Sequence, residues 1–267
     1  MWMKLLLLIT LCYVAVVAAV FFAQTRMLFP VGMVSPAGSL PASAERLELL
    51  TPSGHHLHGM HIPASMPRKD RLVILGFGGN AWNAEAAAVY LHDLYPEADV
   101  VAFHYRGYRP SEGRPSAAAH MADALLIHDA VQSRFGDSRL VATGFSIGSG
   151  VATSLAARRP LDGLILVTPF DSLSAVAATH YPWLPVRLLL RHRMEPAADL
   201  RTVQAPVAII AGERDTLIPA ARTVALERAV PRLVFARTIS GAGHNDIYQD
   251  PRFHAAMREA LAHVLAR

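Results

Sequence analysis

From residue 71 onward the chain alternates apolar runs with helix-compatible stretches, and this alternation limits the fold more than any other feature. Candidate strands cover 71–77, 99–105, 139–144, 162–168, 206–211 and 232–239. The first five have continuous apolar cores, as strands covered on both faces do. Helical stretches lie near 84–94, 116–135, 149–158, 220–229 and 253–266. This order predicts an α/β fold with a mostly parallel, doubly wound sheet and helices on both faces. Upstream, 45–51 and 55–62 read as two antiparallel strands around Pro52-Ser53-Gly54, which brings the expected sheet to about eight strands.

The third of the later strands runs into Gly144-Phe145-Ser146-Ile147-Gly148, which opens an Ala-rich helical stretch. Strand, sharp turn and helix in that order are the setting of a nucleophile elbow, in which a serine hydroxyl stands exposed above the sheet and glycines permit the tight backbone. A serine hydroxyl is a poor nucleophile until a neighbouring base takes its proton, and an acid must hold that base in the right tautomer.

Both partners are available further along, each at a strand exit. The run Pro206 to Gly212 is followed by Glu213-Arg214-Asp215, and the last strand by Ser240-Gly241-Ala242-Gly243-His244. His244 is the candidate base and Asp215 the candidate acid. Asp171, after the strand ending at Thr168, is a rival acid. Glu213 points to the other side of an extended continuation, and Asp246 fits a helix-capping role. The oxyanion of an acyl-transfer intermediate needs N–H donors. The backbone of Ile147, after the nucleophile, is one, and the glycine-rich loop Gly76 to Asn83 offers another at Asn80.

The N-terminus carries a different signal. Leu5 to Ala23 is an uncharged, apolar run behind Lys4, long enough to span a bilayer. A cleaved signal peptide, cut after Ala18 or Ala19, is the competing reading, but the run continues through Val20-Phe21-Phe22. We read 1–23 as an uncleaved anchor, 24–43, with Pro30, Pro36 and Pro41, as an irregular connector, and 44–267 as the catalytic domain. Lys4 and the α-amino group against Arg26 orient that domain outside the cytoplasm.

Composition narrows the partners. The formal charge is +4 and the basic residues are scattered, which does not signal nucleic-acid binding. The single cysteine, Cys12, lies in the apolar run and rules out an intrachain disulfide. His55, His56, His58 and His61 split between two faces of an extended strand and no nearby acidic residue completes a ligand set, so we expect a solvated edge strand there and no metal site. Residues 169–203 interrupt the alternation, with Tyr181-Pro182-Trp183-Leu184-Pro185 and a basic, helix-like 186–193. Fewer than 40 residues leave room for only a minimal lid.

Several further stretches carry a family resemblance. Phe77-Gly78-Gly79-Asn80-Ala81-Trp82-Asn83 resembles a Phe-His-Gly-Asn-Ala-x-Asn loop, and Tyr105-Arg106-Gly107-Tyr108 with Ser111-Glu112-Gly113 and Pro115-Ser116 resembles a second block. Gln24 through Phe29-Pro30, Thr168-Pro169-Phe170 to Ser172 and Gly212 to Pro219 follow in the same order. On these residues the chain resembles the α/β-hydrolase superfamily, and more narrowly the membrane-anchored alpha/beta-hydrolase domain-containing protein 13 and 17 type. The resemblance implies the fold, a Ser146-Asp215-His244 triad and a small or absent lid; hydrolysis by such a triad calls for no metal or organic cofactor. Gly78 stands where that pattern has histidine and Arg109 where it has glycine.

The expected activity is hydrolysis of an acyl ester or thioester, from a small molecule or a lipid, by a membrane-tethered enzyme, with Trp82, Tyr181 and Trp183 as candidate apolar contacts. A serine aminopeptidase or amidase is the alternative within the enzyme class, and a non-catalytic anchored binding module the alternative outside it.

Overall fold

The computed structural model describes residues 1–266. A long helix, α1 (Trp2–Leu28), precedes a body built on one sheet. Its strands are β1 (Glu45–Leu50), β2 (His56–Ile62), β3 (Leu72–Phe77), β4 (Asp99–Phe103), β5 (Arg139–Phe145), β6 (Gly163–Val167), β7 (Val207–Gly212) and β8 (Leu233–Ile239). They lie side by side in the order β1-β2-β4-β3-β5-β6-β7-β8, with β1 and β2 antiparallel to their neighbours and the rest parallel. The doubly wound, eight-stranded sheet expected from the alternation is the sheet observed.

Helices cover both faces. On one side α2 (Ala84–Leu94) and α9 (Pro251–Leu265) pack against Ile74, Val100, Phe145 and Ile165. On the other, α3 (Ala117–Phe135), α4 (Ile147–Ala156) and α8 (Ala220–Glu227) cover Val73, Leu75, Ala142 and Leu166. Alternate residues of each central strand therefore enter opposite cores, which is why β3, β4 and β6 are buried at every position. Helix starts are set by local chemistry. Asn83 Oδ1 accepts from Glu85 N at 2.8 Å, Ser116 Oγ from Ala119 N at 3.1 Å, and Asp250 Oδ1 from Arg252 N at 2.8 Å, with Pro251 in the first turn of α9.

Between β6 and β7 the chain forms a small flange from α5 (Leu173–His180), α6 (Val186–Leu189) and α7 (Pro196–Leu200). The helix expected over 186–193 is thus a four-residue turn ending before Leu190, while α5, which carries little amphipathic pattern, was not foreseen. The structure also extends α1 five residues into the expected connector, through Leu28. Gln24 explains the extension. Its Oε1 accepts from Arg191 N at 2.8 Å and its Nε2 donates to Leu189 O at 3.2 Å, so the last turns of α1 are held by the flange.

The histidine-rich strand departs from its expected setting. β2 lies between β1 and β4, and the sheet edge is β1. His61 is buried, with Nε2 2.8 Å from Asp99 Oδ1 and Nδ1 3.2 Å from Glu45 Oε2. Its acids come from neighbouring strands, where a reading along one strand does not look. Both ring nitrogens are engaged, and no set of three potential metal ligands converges among the described residues.

Candidate active site

Ser146 leaves β5 with φ 50° and ψ −118°, a conformation that non-glycine residues avoid, and it is fixed there from several sides. Its N–H donates to Val167 O at 2.9 Å, on the adjacent strand, and its carbonyl accepts from Ser149 Oγ at 2.6 Å. The flanking glycines are required by close approach. A Cβ on Gly144 would stand 2.5 Å from Gly148 O, and one on Gly148 would collide with the Phe77 and Gly78 carbonyls. β5, the start of α4 and the loop after β3 are therefore pressed together around the serine.

His244 arrives on the loop after β8, and Asp215 on the loop after β7. Ser146 Oγ lies 2.9 Å from His244 Nε2, and His244 Nδ1 lies 2.7 Å from Asp215 Oδ2. Asp215 Oδ1 already accepts from the N–H groups of Leu217 at 2.9 Å and Ile218 at 2.7 Å, which holds the carboxylate in place. With Asp215 accepting, Nδ1 carries the proton toward it and Nε2 offers its lone pair to the serine hydroxyl. Such a chain can draw the proton from Oγ as the oxygen attacks an electrophile.

The rival acids have other work. Asp171 Oδ2 accepts from Arg222 at 3.2 Å, and its Oδ1 from Ser172 N at 2.9 Å. Glu213 Oε2 accepts from Ser240 Oγ and Gly241 N, at 2.9 and 2.7 Å, which braces the base of the histidine loop. Asp246 Oδ1 accepts from Gly243 N at 2.6 Å inside that loop, so it shapes a turn and makes no side-chain cap bond to the short 3-10 helix that follows.

The loop after β3 faces the serine. A Cβ on Gly79 would be 3.8 Å from Ser146 Cβ, and Asn80 lines the same cavity. Among the described residues the main-chain N–H groups of Asn80 and Ile147 donate to no protein acceptor. Two tyrosines brace the loop: Tyr105 donates to Gly78 O at 2.8 Å and Tyr108 to Asn80 Oδ1 at 2.7 Å. Both belong to the Tyr105-Arg106-Gly107-Tyr108 block, whose role in supporting the loop the sequence did not disclose. Where histidine would stand, Gly78 leaves ordinary space, with Trp82 Cβ 3.5 Å from a Cβ built there.

The cavity over Ser146 measures about 610 Å³ and is lined by Trp82, Tyr90, Leu217, His244 and Tyr248 among others. Trp82 lines this cavity, its ring edge-on against Phe145 with centroids 5.0 Å apart. Tyr181 and Trp183 are not in this cavity. They lie on the flange, exposed beside α1, where Trp183 O accepts from Tyr13 Oη at 2.9 Å. Both sit beyond α5, whose last residue, His180, is tied to the cavity wall by its Nε2, 2.8 Å from Leu217 O. Tyr248 was missed, although it follows His244 by four residues on the same loop. Burial pushes its phenol up to about 12, so it presents an uncharged wall. Arg109 borders a neighbouring shallow depression with Ser35 and Asn83 and not the cavity itself.

Residues 72–195 match the sequence profile of the alpha/beta hydrolase fold family. An uncharacterised protein of Mycobacterium tuberculosis is 34% identical over 237 residues, covering 86% of this chain and 84% of its own length. Lysophosphatidylserine lipase ABHD12 of Danio rerio is 29% identical over 190 residues, covering 61% of this chain and half of that enzyme. Among solved structures, an esterase of Pyrococcus furiosus superposes with a TM-score of 0.68 over 87% of this chain and 97% of that one, at 17% identity, a likeness of fold.

Proposed function

Because the chain belongs to the alpha/beta hydrolase family, we propose that it is a membrane-anchored serine hydrolase that cleaves acyl esters or thioesters through Ser146, His244 and Asp215. The observation that carries this reading is the unbroken run of two hydrogen bonds from Ser146 Oγ through the His244 ring to Asp215. Ser146 Oγ attacks the acyl carbonyl while His244 Nε2 takes its proton, and Asp215 steadies the imidazolium. The N–H groups of Ile147 and Asn80 receive the negative oxygen of the tetrahedral intermediate. Its collapse expels the alcohol or thiol, which takes the proton from His244. Water, deprotonated by His244, then releases the acid and restores Ser146.

An acyl ester carried by a lipid suits the site. The cavity wall combines Trp82, Tyr90 and Leu217 with the uncharged Tyr248, and the relatives named as lysophosphatidylserine lipases support the same class. The anchor is α1, with a mean hydropathy of 2.9 over its most apolar stretch, none of it buried in the protein. Residues 44–266 form the hydrolase body, outside the cytoplasm by the charge balance around α1.

Labelling with a fluorophosphonate probe tests the reaction. The full chain in detergent reacts and Ser146→Ala does not; a folded protein that stays unlabelled overturns the reading. Esters of graded acyl length, set against aminoacyl amides, then separate esterase from amidase.

A further inference from the structure

The flange and α1 meet at a height that a bilayer cannot avoid. Burial of α1 begins at Val17; Trp2–Val16 is exposed throughout, Tyr13 touching the flange through its hydroxyl. Fifteen helical residues rise about 22 Å, whereas a hydrocarbon core is about 30 Å thick. A crossing by α1 therefore draws further turns, through Phe21 and Ala23, into the core, and these turns are held against the flange. Arg191 sits over the Phe21 ring at 5.0 Å, and Gln24 bonds to Leu189 and Arg191. Tyr13, deeper still, donates to Trp183 O.

The composition of the flange fits that position. Tyr181, Trp183 and Leu188 are exposed, Leu188 by 83%, an arrangement that costs free energy in water and none among acyl chains. Arg187, Arg191 and Arg193 are exposed around them, as cations are where lipid headgroups begin. Between α1 and the flange runs an apolar crevice of about 150 Å³, bordered by Val20, Met27, Ala177 and Leu184. Its walls offer almost no polar group, which selects a hydrocarbon occupant.

We infer that residues 181–190 are immersed in the membrane leaflet beside α1, so that the bilayer's acyl chains cover this face and fill the crevice. The inference rests on the anchor reading of α1. It also gives the lipid substrate a short path, since the flange joins the mouth of the Ser146 cavity through His180 and Leu217.

Spin labels on the full chain in vesicles of phosphatidylcholine and phosphatidylglycerol test it. The native Cys12 reports on α1, Leu188→Cys in a Cys12→Ser background on the flange, and Arg258→Cys, on the opposite face, on water. We expect labels at 12 and 188 to be relaxed by oxygen over a water-soluble nickel chelate severalfold more than the label at 258. In a second arm, Leu188→Glu lowers hydrolysis of a long-chain ester embedded in vesicles at least about tenfold, from the cost of placing a charge in lipid, and leaves hydrolysis of a soluble butyrate ester and fluorophosphonate labelling unchanged. A nickel-accessible label at 188 with a lipid-exposed label at 12 overturns the flange inference alone, as does a label at 188 shielded from both agents, the mark of a protein contact. A nickel-accessible label at 12 overturns it together with the anchor. Loss of fluorophosphonate labelling in the unmodified chain sinks the hydrolase reading and leaves the depth result standing.

Discussion

Asn80 Nδ2 donates to the main-chain carbonyl of Leu28 at 2.7 Å, tying the loop that faces Ser146 to the last residue of the N-terminal helix. The same amide accepts from Tyr108 through Oδ1. The side chain thus holds its own backbone N–H at the cavity from two directions. On the proposed mechanism, removing it loosens a donor to the oxyanion, which acts on the transition state more than on the bound substrate. Asn80→Ala is expected to lower kcat about tenfold, or ~1.4 kcal/mol, with KM little changed. Tyr108→Phe should lower it less. Steady-state kinetics on a soluble ester check this, and a rise in KM alone would refute the positioning role.

Asp215 and Asp171 are distinguished by what they touch. Asp215 bonds His244, whereas Asp171, where the chain enters the flange, bonds Arg222 of α8. Asp215→Asn should reduce kcat by about 10³–10⁴, because the histidine loses its fixed tautomer. Asp171→Asn should leave kcat within about threefold and lower the unfolding midpoint instead, as loss of a largely buried ion pair does. Comparable losses of kcat in both variants would reopen the assignment of the acid.

The sheet was legible because buried parallel strands write their burial on both faces as uninterrupted apolar runs, and the elbow because Gly144 and Gly148 are spaced by a backbone that admits no Cβ. The Asp215 and His244 positions followed from strand exits in the right order. What the chain did not disclose are contacts between segments far apart in sequence. His61 finds its carboxylates on β1 and β4, Tyr108 reaches across to Asn80, and Gln24 is claimed by the flange. Tyr181 and Trp183 are a case of the same kind: the sequence leaves an aromatic in a lid-like stretch free to line a substrate pocket or to pack elsewhere, and it is the fold that sets them beside α1 and away from Ser146.

Gly148 carries the tightest constraint in the site. A methyl there meets the carbonyl oxygens of Phe77 and Gly78, which are backbone and cannot swing aside. Either α4 or the loop after β3 must move. Gly148→Ala is expected to cost about 3 kcal/mol, lowering Tm by roughly 6–12 °C for a chain of this size, and to abolish fluorophosphonate labelling. Gly78→Ala, whose methyl would make only ordinary contacts, should leave Tm within about 2 °C. Thermal unfolding of the two variants in detergent checks the contrast.

Acid sensitivity should trace to buried histidines outside the run from Ser146 through His244 to Asp215. Burial, aided by the charge of nearby His58, pushes His104 down to about 4 from 6.5, and its Nε2 has no partner. Burial also pushes His120 down to about 4, where the ring stacks on Tyr105 at 4.6 Å. The unfolded chain protonates these rings near 6.5 and the folded chain only near 4. Between those values the unfolded state binds more protons, so stability is complete above pH 6.5, falls as the pH drops toward 4, and levels off below. Each ring contributes on the order of 3 kcal/mol to that fall. His104→Leu removes one titration while keeping the site apolar, so its unfolding midpoint in denaturant should decline less steeply between pH 6.5 and 4.5 than that of the unmodified chain. Parallel slopes for the two proteins would show that His104 is not one of the groups responsible.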